Sequence, residues 1–563
     1  MKKNFSLPSI SDIAPIAGWL PKYHLKLFRP DVIAGVTLAS FVLPESMAYA
    51  SLAGVPAYFG IYCCLAGGLF FAFFTTSKHV AIGPTSSISL MIGSTVAVLS
   101  GGDTERWMQI AALTALMVGV ICLIAYLLKL SSLVNFISSS ILLGFKAGAA
   151  LSIMSTQFPK LFGVEGGGSN FFSRLAHMGT MLPETNFTVL IFGVAAFLVL
   201  LAGDHFLPGK PVSLLVVIAS IIIMSFTDLA SMGLHITGLI PAGLPDISKP
   251  SLRFKDVEGV LELAFACFLM GYIETISAAR TFAMKYHYDV NPRQELLSMG
   301  FSNFATAFFS GFVVAGGLSQ STVNDKSGAK TPMSLIICSA ALAFILLFMT
   351  GLLKNLPHVV LAAIVIHAVM GLIKVKELGK LRHLSKLEFV VAMIALVGVL
   401  VFGILKGVML GVIMSLIMML RKMSTPKVAE LGRIGDSNVF SDIKRHPENR
   451  ITPGLLLLRI ESSIMYFNAD SIQGDITSLL EKHKDTKMLV LDLSSSPFVD
   501  VSGSKMLVDL ANKLKRENIA LKLAEPLAGV REILRKQHME EIIGHISRSD
   551  SVDALASQFE RSN

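Results

Sequence analysis

Charge is scarce in this chain. Asp, Glu, Lys and Arg make up 15% of its 563 residues, and 53% are hydrophobic, with mean hydropathy +0.65. An ordinary soluble domain carries about 25% charged residues, so most of this chain is not built for water. Cysteine is sparse as well. Cys63, Cys64, Cys122, Cys267 and Cys338 all fall in apolar stretches, which excludes a disulfide framework and zinc-ligand spacing and leaves free core thiols. Neither a phosphate-cradling G-x-x-x-x-G-K-S/T string nor a G-x-S-x-G nucleophile string stands in the required context, so an enzyme is not expected. The net charge of +9 is spread among loops without an aromatic-laced basic stripe, which argues against nucleic acid. No short apolar opening with a small-residue cleavage site is present, so no signal peptide is expected to be removed.

What the chain has instead is apolar runs of 16 to 24 residues up to about residue 423, followed by a stretch of ordinary charge. The change falls at Arg421-Lys422-Met423-Ser424-Thr425-Pro426. The reading is a cytoplasmic N-terminal segment at 1–30, a transmembrane domain at 31–423 and a cytoplasmic domain at 437–563. A bilayer core of ~30 Å takes about 20 helical residues. Spans are expected at 31–53, 57–75, 84–99, 107–128, 132–156, 186–204 and 211–228. A second set lies at 257–279, 293–313, 318–328, 333–352, 356–374, 387–404 and 406–421. Seven spans per half invert the second half relative to the first, a common transporter plan.

With the N-terminus inside, the basic clusters Lys22/Lys26/Arg29, Arg280/Lys285/Arg293 and Lys374/Lys376/Lys380/Arg382/Lys386 all become cytoplasmic. The outer loops keep only scattered cations such as Arg106, Lys160 and Lys354. The positive-inside rule therefore puts both termini in the cytoplasm, and the cell inner membrane is the expected location.

Two short polar segments occupy matching places in the halves: Gly83-Pro84-Thr85-Ser86-Ser87 and Gly316-Gly317-Leu318-Ser319-Gln320-Ser321. Each reads as a helix that starts inside the membrane. A helix start offers unpaired N–H groups and a partial charge of about +0.5, which suits an anion. Hydroxyls in spans often bond only to a carbonyl one turn back. Two such starts in corresponding positions, however, point to a binding site near the midplane. Candidate substrate-binding residues are Gly83, Thr85, Ser86, Ser87, Leu318, Ser319, Gln320 and Ser321.

Three ionisable residues lie within spans. Glu45 follows the helix-kinking Pro44, Glu274 sits late in the eighth span and Lys146 lies inside the fifth. Buried charges are costly and face a cavity or a partner. A carboxyl removed from water holds its proton to higher pH, as a proton-coupled carrier requires, so Glu45 and Glu274 are the coupling candidates. Lys146 is the candidate charge partner, with a plain structural ion pair as the simpler role.

Several of these strings resemble the SulP family of anion transporters, also called solute carrier family 26. They include Asp31-Val32-Ile33-Ala34-Gly35-Val36-Thr37 running to Gly54-Val55-Pro56, Glu274 with Ala278–Ala283, and Asn291 with Gln294-Glu295-Leu296. Gly300 with Asn303, then Ser319, Ser321, Asn324 and Gly328–Pro332, continue the likeness. The resemblance implies a core domain of spans 1–4 and 8–11 and a gate domain of spans 5–7 and 12–14. It also implies substrate held between the starts of spans three and ten, and elevator-like movement of the core. Members carry sulfate, bicarbonate, chloride, oxalate or dicarboxylates, and bacterial members are commonly symporters with H+ or Na+. Two positions depart from the family pattern. Many relatives have Arg where Gln320 stands and Gln where Glu45 stands. A lost cation and an added acid favour proton symport.

The tail alternates strand and helix: strands at 455–460, 488–493 and 520–523, helices at 469–483, 502–516 and 530–536. This is a small α/β domain. Phe467-Asn468-Ala469 and Asp500-Val501-Ser502-Gly503 resemble the STAS domain, named for sulfate transporters and anti-sigma factor antagonists. In the regulators sharing that fold the matching serine can be phosphorylated; a simpler expectation is that Asp500 and Ser502 cap the next helix. The resemblance implies a homodimer.

The fold expected is thus a polytopic α-helical membrane protein of fourteen segments in 7+7 inverted repeats, followed by a cytoplasmic α/β STAS domain. The function expected is secondary transport of a small anion, sulfate first, by H+ symport, with no cofactor beyond the coupling ion. A Na+-coupled bicarbonate transporter, an exchanger or channel, and a nucleobase:proton symporter are the alternatives.

Overall fold

A computed structural model describes residues 13–131, 139–168, 170–206 and 211–562. The first twelve residues of the expected N-terminal segment, and 132–138 at the start of the expected fifth span, lie outside the described residues.

Helices occupy each of the fourteen expected spans. The first seven are α1 (Leu25–Leu52), α2 (Tyr58–Phe74), α3 (Ser86–Ser100), α4 (Thr104–Leu127), α5 (Ser139–Phe162), α6 (Phe187–Phe206) and α7 (Val212–Phe226). The second seven are α8 (Phe254–Tyr286), α9 (Pro292–Phe308), α10 (Leu318–Lys326), α11 (Met333–Phe348), α12 (His358–Met370), α13 (Lys386–Phe402) and α14 (Ile404–Ser424). The ends differ where a helix outruns its apolar stretch. α1 begins at Leu25 rather than 31 and α8 runs on to Tyr286 rather than 279, because polar residues beyond the hydrocarbon can remain helical. Two further helices, Phe171–Met181 and Val375–Leu384, are too polar and too short to read as spans.

Packing sorts the helices into two groups. α1 and α2 pack on α11, α4 and α2 on α9, and α4 on α8, while α5 packs on α12 and α13, and α6 on α12. These are the core and gate domains. α5 and α13 touch through glycine: a Cβ on Gly144 would lie 1.9 Å from the Ala392 carbonyl oxygen, and one on Gly148 2.7 Å from that of Leu396. Small residues four apart let two membrane helices approach backbone to backbone.

Between α2 and α3 the chain forms β1 (Ala81–Gly83), and between α9 and α10 it forms β2 (Ala315–Gly317). The two strands pair antiparallel, Ala81 opposite Gly317 and Gly83 opposite Ala315. Backbone at membrane depth must be satisfied by protein, and each repeat here satisfies the other. Several family-like residues complete this arrangement. Asn303 Oδ1 accepts from Val314 N at 3.0 Å, and its Nδ2 donates to Val314 O at 3.1 Å. Thr275 Oγ1 accepts from Gly316 N at 2.8 Å. The Glu295 carboxylate accepts from Thr76 N at 2.8 Å and from the Thr75 and Thr76 hydroxyls. Asp31 accepts from Lys330 N at 2.7 Å and from the Thr331 hydroxyl at 2.6 Å, fixing the turn before α11.

The chain divides into two compact units, with the boundary after Ser415 inside α14. The tail unit holds a five-stranded sheet in the order β4 (Phe440–Asp442), β3 (Val428–Arg433), β5 (Leu455–Ile460), β6 (Met488–Asp492), β7 (Ala520–Ala524). β5, β6 and β7 run parallel, and β3 is antiparallel to both neighbours. Helices α15 (Ala469–Lys482), α16 (Val501–Arg516), α17 (Ala528–Lys536) and α18 (Val552–Ser562) accompany it. The run Leu455–Leu458 feeds both faces: Leu456 and Leu458 pack with Ile472 and Leu507, while Leu455 and Leu457 pack with Leu555 and Phe559. Alternate residues of a strand point to opposite faces, so a continuous leucine run marks a sheet covered on both.

Three expectations for the tail change. Its sheet begins at Val428, ahead of the expected boundary at 437, since a six-residue strand containing Glu and Gly reads as linker. β4 and α18 were not expected. Asp500 does cap α16, its Oδ1 accepting from Gly503 N at 2.7 Å, and its Oδ2 also accepts from Tyr466 N at 2.8 Å. Ser502 is exposed in the first helical turn and makes no capping bond, because the helix starts one residue earlier than expected.

Candidate substrate site

The paired strands aim α3 and α10 toward one another, so both helix starts reach the same open cavity. Its volume is about 870 Å³, and its wall includes Thr85 and Ser86 from α3's start and Leu318, Ser319 and Gln320 from α10's. Tyr49 of α1, Glu274 of α8 and Lys146 of α5 add to the polar lining, with Ser277 and Thr281 of α8 and Thr322 of α10. The cavity continues to Lys374, Glu377 and Lys380 at one end of the bundle.

Of the candidates, Thr85, Ser86, Leu318, Ser319, Gln320, Glu274 and Lys146 line this cavity. Gly83, Ser87, Ser321 and Glu45 stand behind the wall. Gly83 is there for closeness: a Cβ would lie 2.9 Å from both Cys64 Sγ and Gln320 Oε1. Ser321 Oγ donates to Gly317 O at 2.6 Å and accepts from Ala81 N at 2.9 Å, tying α10 to β1. Its work is in the strand crossing rather than at the cavity.

The two membrane carboxylates are placed reciprocally. Glu45, in the first repeat, meets α10 of the second: Gln320 Nε2 donates to Oε2 at 3.0 Å and Ser319 Oγ to Oε1 at 3.3 Å. The Tyr49 hydroxyl adds a third bond at 3.1 Å. Glu274, in the second repeat, meets α3 of the first: Ser87 Oγ donates to its Oε1 at 3.2 Å. Gln320 Nε2 also reaches the Pro84 carbonyl at 3.3 Å, joining the starts of α10 and α3.

Several polar atoms at the site lack a protein partner. Glu274 Oε2, Gln320 Oε1 and Thr85 Oγ1 are buried without a hydrogen bond. A buried polar group left unmatched costs about 1–3 kcal/mol, so three at one cavity wall mark a place for something polar that is not protein. Lys146, expected as the charge partner, acts on Glu274 through its charge rather than through a direct contact. Lys146 shares the cavity with Glu274 but makes no ion pair among the described residues. Tyr49 was missed by sequence reasoning; its spacing of four from Glu45 on one helix was the available signal.

A gapped bundle of inverted repeats around two facing half-helices defines a membrane transporter. The chain belongs to the sulfate permease family, whose model matches residues 28–395, and a STAS domain model matches 446–553. A probable sulfate transporter of Mycobacterium tuberculosis is 28% identical over 535 residues, covering 94% of this chain and 96% of that one. High affinity sulfate transporter 1 of Stylosanthes hamata is 29% identical over 561 residues, covering 94% and 84%. Among solved structures, the murine solute carrier 26 family member A9 anion transporter in its inward-facing state superposes with TM-score 0.89 at 23% identity, covering 100% of this chain and 97% of that one. The transmembrane domain of the cyanobacterial bicarbonate transporter BicA gives 0.60 at 21% identity, covering 70% and 98%. The protein is thus a multi-pass membrane anion transporter of this family and not an enzyme.

Proposed function

We propose that this chain takes up a small oxyanion, sulfate first, together with a proton, and that Glu45 carries the proton. The observation that supports this most is the set of donors Glu45 occupies. The Gln320 amide, the Ser319 hydroxyl and the Tyr49 hydroxyl all point at its carboxylate. Ser319, Gln320 and Tyr49 also line the cavity. An ionised Glu45 would both repel an anion and hold the hydrogen bonds the anion needs. Once protonated, it loses its charge and can give its own O–H to one acceptor, and the donors turn to the substrate. Proton and anion then favour one another's binding, which is what coupling means thermodynamically.

The helix starts of α3 and α10 supply the positive field, and Lys146 faces the anion from the gate side. The anion sits on the core wall and leaves with it, so transport is an elevator-like movement of core against gate. The positive-inside rule makes the face carrying Lys374 and Lys380 cytoplasmic, so the cavity opens inward and both termini are cytoplasmic, in the cell inner membrane. The STAS tail joins two copies as a homodimer. No cofactor enters; the coupling ion is H+.

Proteoliposomes loaded without substrate and given labelled sulfate under an inward proton gradient test the reading. Concentrative uptake driven by protons, and lost with Glu45→Gln, is the expected result. Uptake driven by sodium alone, or preferring bicarbonate, overturns it. The bicarbonate alternative draws on the structural likeness to BicA, and Glu274 Oε2, unpartnered at the cavity wall, would be the sodium ligand.

A further inference from the structure

The membrane unit holds a second cavity, of about 410 Å³, that the substrate site does not use. Three helices contribute to both. α5 lines the substrate cavity with Lys146 and the second one with Gln157 and Lys160, about 17 to 21 Å farther along its axis at 1.5 Å per residue. α12 lines the first with Ala368 and the second with His358 and Leu361. On α1, neighbouring residues part ways: Tyr49 faces the site and Ala48 the second cavity. Between them lie Ala150, Ile153 and Val365, each at most 1% exposed. The two cavities thus lie toward opposite ends of α5 and α12, with buried apolar side chains on the helices between them.

The second cavity is polar and of one sign. Lys160 and His358 are in its wall, with no Asp or Glu. Among the described residues Lys160 forms no ion pair, and both Lys160 and His358 are exposed. Cations are few on this face of the bundle, so a lysine here is not one of a general basic coat. The rim is fixed rather than loose. Thr237 N and its hydroxyl both donate to Leu356 O, at 2.8 and 2.9 Å, and His358 N donates to His235 O at 2.9 Å. A rigid, single-signed, water-reachable cleft concentrates ions of opposite charge and raises their arrival rate.

We propose that this cavity is an outer staging site, in which Lys160 and His358 hold the transported oxyanion before the core presents its own site to that side. The inference rests on the transport reading above. It makes the inner and outer mouths unlike: outside, one fixed cation, Lys160, with an imidazole beside it and no acid; inside, Lys374 and Lys380 beside Glu377. Capture from outside should be the better served.

Ser51→Cys places a thiol in this cavity, in a chain whose five native cysteines are all buried. Intact cells expressing this variant are treated with membrane-impermeant thiosulfonates, one anionic and one cationic. The anionic reagent should react faster, and external sulfate should slow it. Adding Lys160→Gln should lower the anionic rate by roughly tenfold without lowering the cationic one, while Lys160→Arg should keep the preference. Rates that ignore reagent charge, that do not change with Lys160→Gln, or that sulfate does not slow would each overturn the staging site. Failure of the transport reading shows elsewhere, as absence of sulfate accumulation by the unsubstituted protein. The labelling rates do not depend on that.

Discussion

The two membrane carboxylates occupy corresponding places in the two repeats, yet their surroundings differ. Glu45 is 3% exposed and carries three hydrogen bonds from side chains. Glu274 is half-buried, accepts one bond from Ser87 and has its second oxygen buried without a hydrogen bond. Inverted repeats give the same backbone scaffold twice. What each copy does is then decided by a few donors. The α10 end offers an amide and a hydroxyl, and the acid there is held away from the substrate space; the α3 end offers one hydroxyl, and the acid there faces it. On the reading proposed above, Glu45 would compete with the anion for donors, whereas Glu274 would balance the charge of the cavity it shares with Lys146.

Substitution can break that contrast. The largest effect is expected from Glu45→Gln: proton-driven accumulation of sulfate should fall by roughly 5- to 150-fold, the range of a binding coupling free energy. Exchange of sulfate for sulfate should persist, and its rate should lose its dependence on pH. Accumulation that survives would move the coupling to Glu274. Gln320→Arg comes next. A guanidinium beside Glu45 would keep the carboxylate ionised, so accumulation should fall by roughly tenfold. Glu45→Gln with Gln320→Arg, which restores the pairing common in relatives, should bind sulfate more tightly than Glu45→Gln alone and exchange it without protons. Independent, additive effects of the two changes would show that the residues do not act as a pair.

Glu274→Gln should act differently from Glu45→Gln. Removing a carboxylate from the wall opposite Lys146 should lower the sulfate KM by about fivefold and slow release, with proton coupling retained; initial rates against sulfate concentration at two pH values would separate the cases. The smallest effect is expected from Ser87→Ala, which removes one neutral donor to Glu274 and should change apparent affinity by about 1 kcal/mol or less. Ser319→Ala, removing a donor to Glu45 that also lines the cavity, should change it more. If the two serine variants are equal, the asymmetry between the repeats carries no functional weight.

Much of this was legible in the sequence because membranes impose simple rules. Apolar length located the spans, and the starts of α3 and α10 fell at Ser86 and Leu318, close to the expected 84 and 318. Glycine, serine and threonine in an apolar run leave few other readings. Glu45, Glu274 and Lys146 were visible as charges where charge is costly. What could not be read was convergence. Nothing local to Glu45 says that its donors come from Ser319 and Gln320, more than 270 residues away. Nothing near Glu295 says that it closes the turn at Thr75 and Thr76. Lys146 was legible as a charge partner, but not the distance at which it acts: it lies on α5 of the gate and shares the cavity with Glu274 of the core without touching it. In the tail, Val428–Arg433 buries Ala429, Leu431 and Gly432 between partly exposed neighbours and has no apolar run to announce it as a strand.

The crossing of β1 with β2 also sets a timetable. Ala81 and Gly317 are partners separated by about 230 residues of chain. A ribosome adding roughly 5–20 residues per second needs on the order of ten to fifty seconds to make the second strand after the first. For that interval the first repeat is already in the bilayer with the ladder groups of Ala81–Gly83 unmatched in a solvent that cannot match them. The nascent protein must keep this turn beside the insertion machinery or in a pocket of water until β2 arrives. Synonymous changes that slow translation of the second half should therefore lower the yield of assembled protein more than the same changes placed after α14.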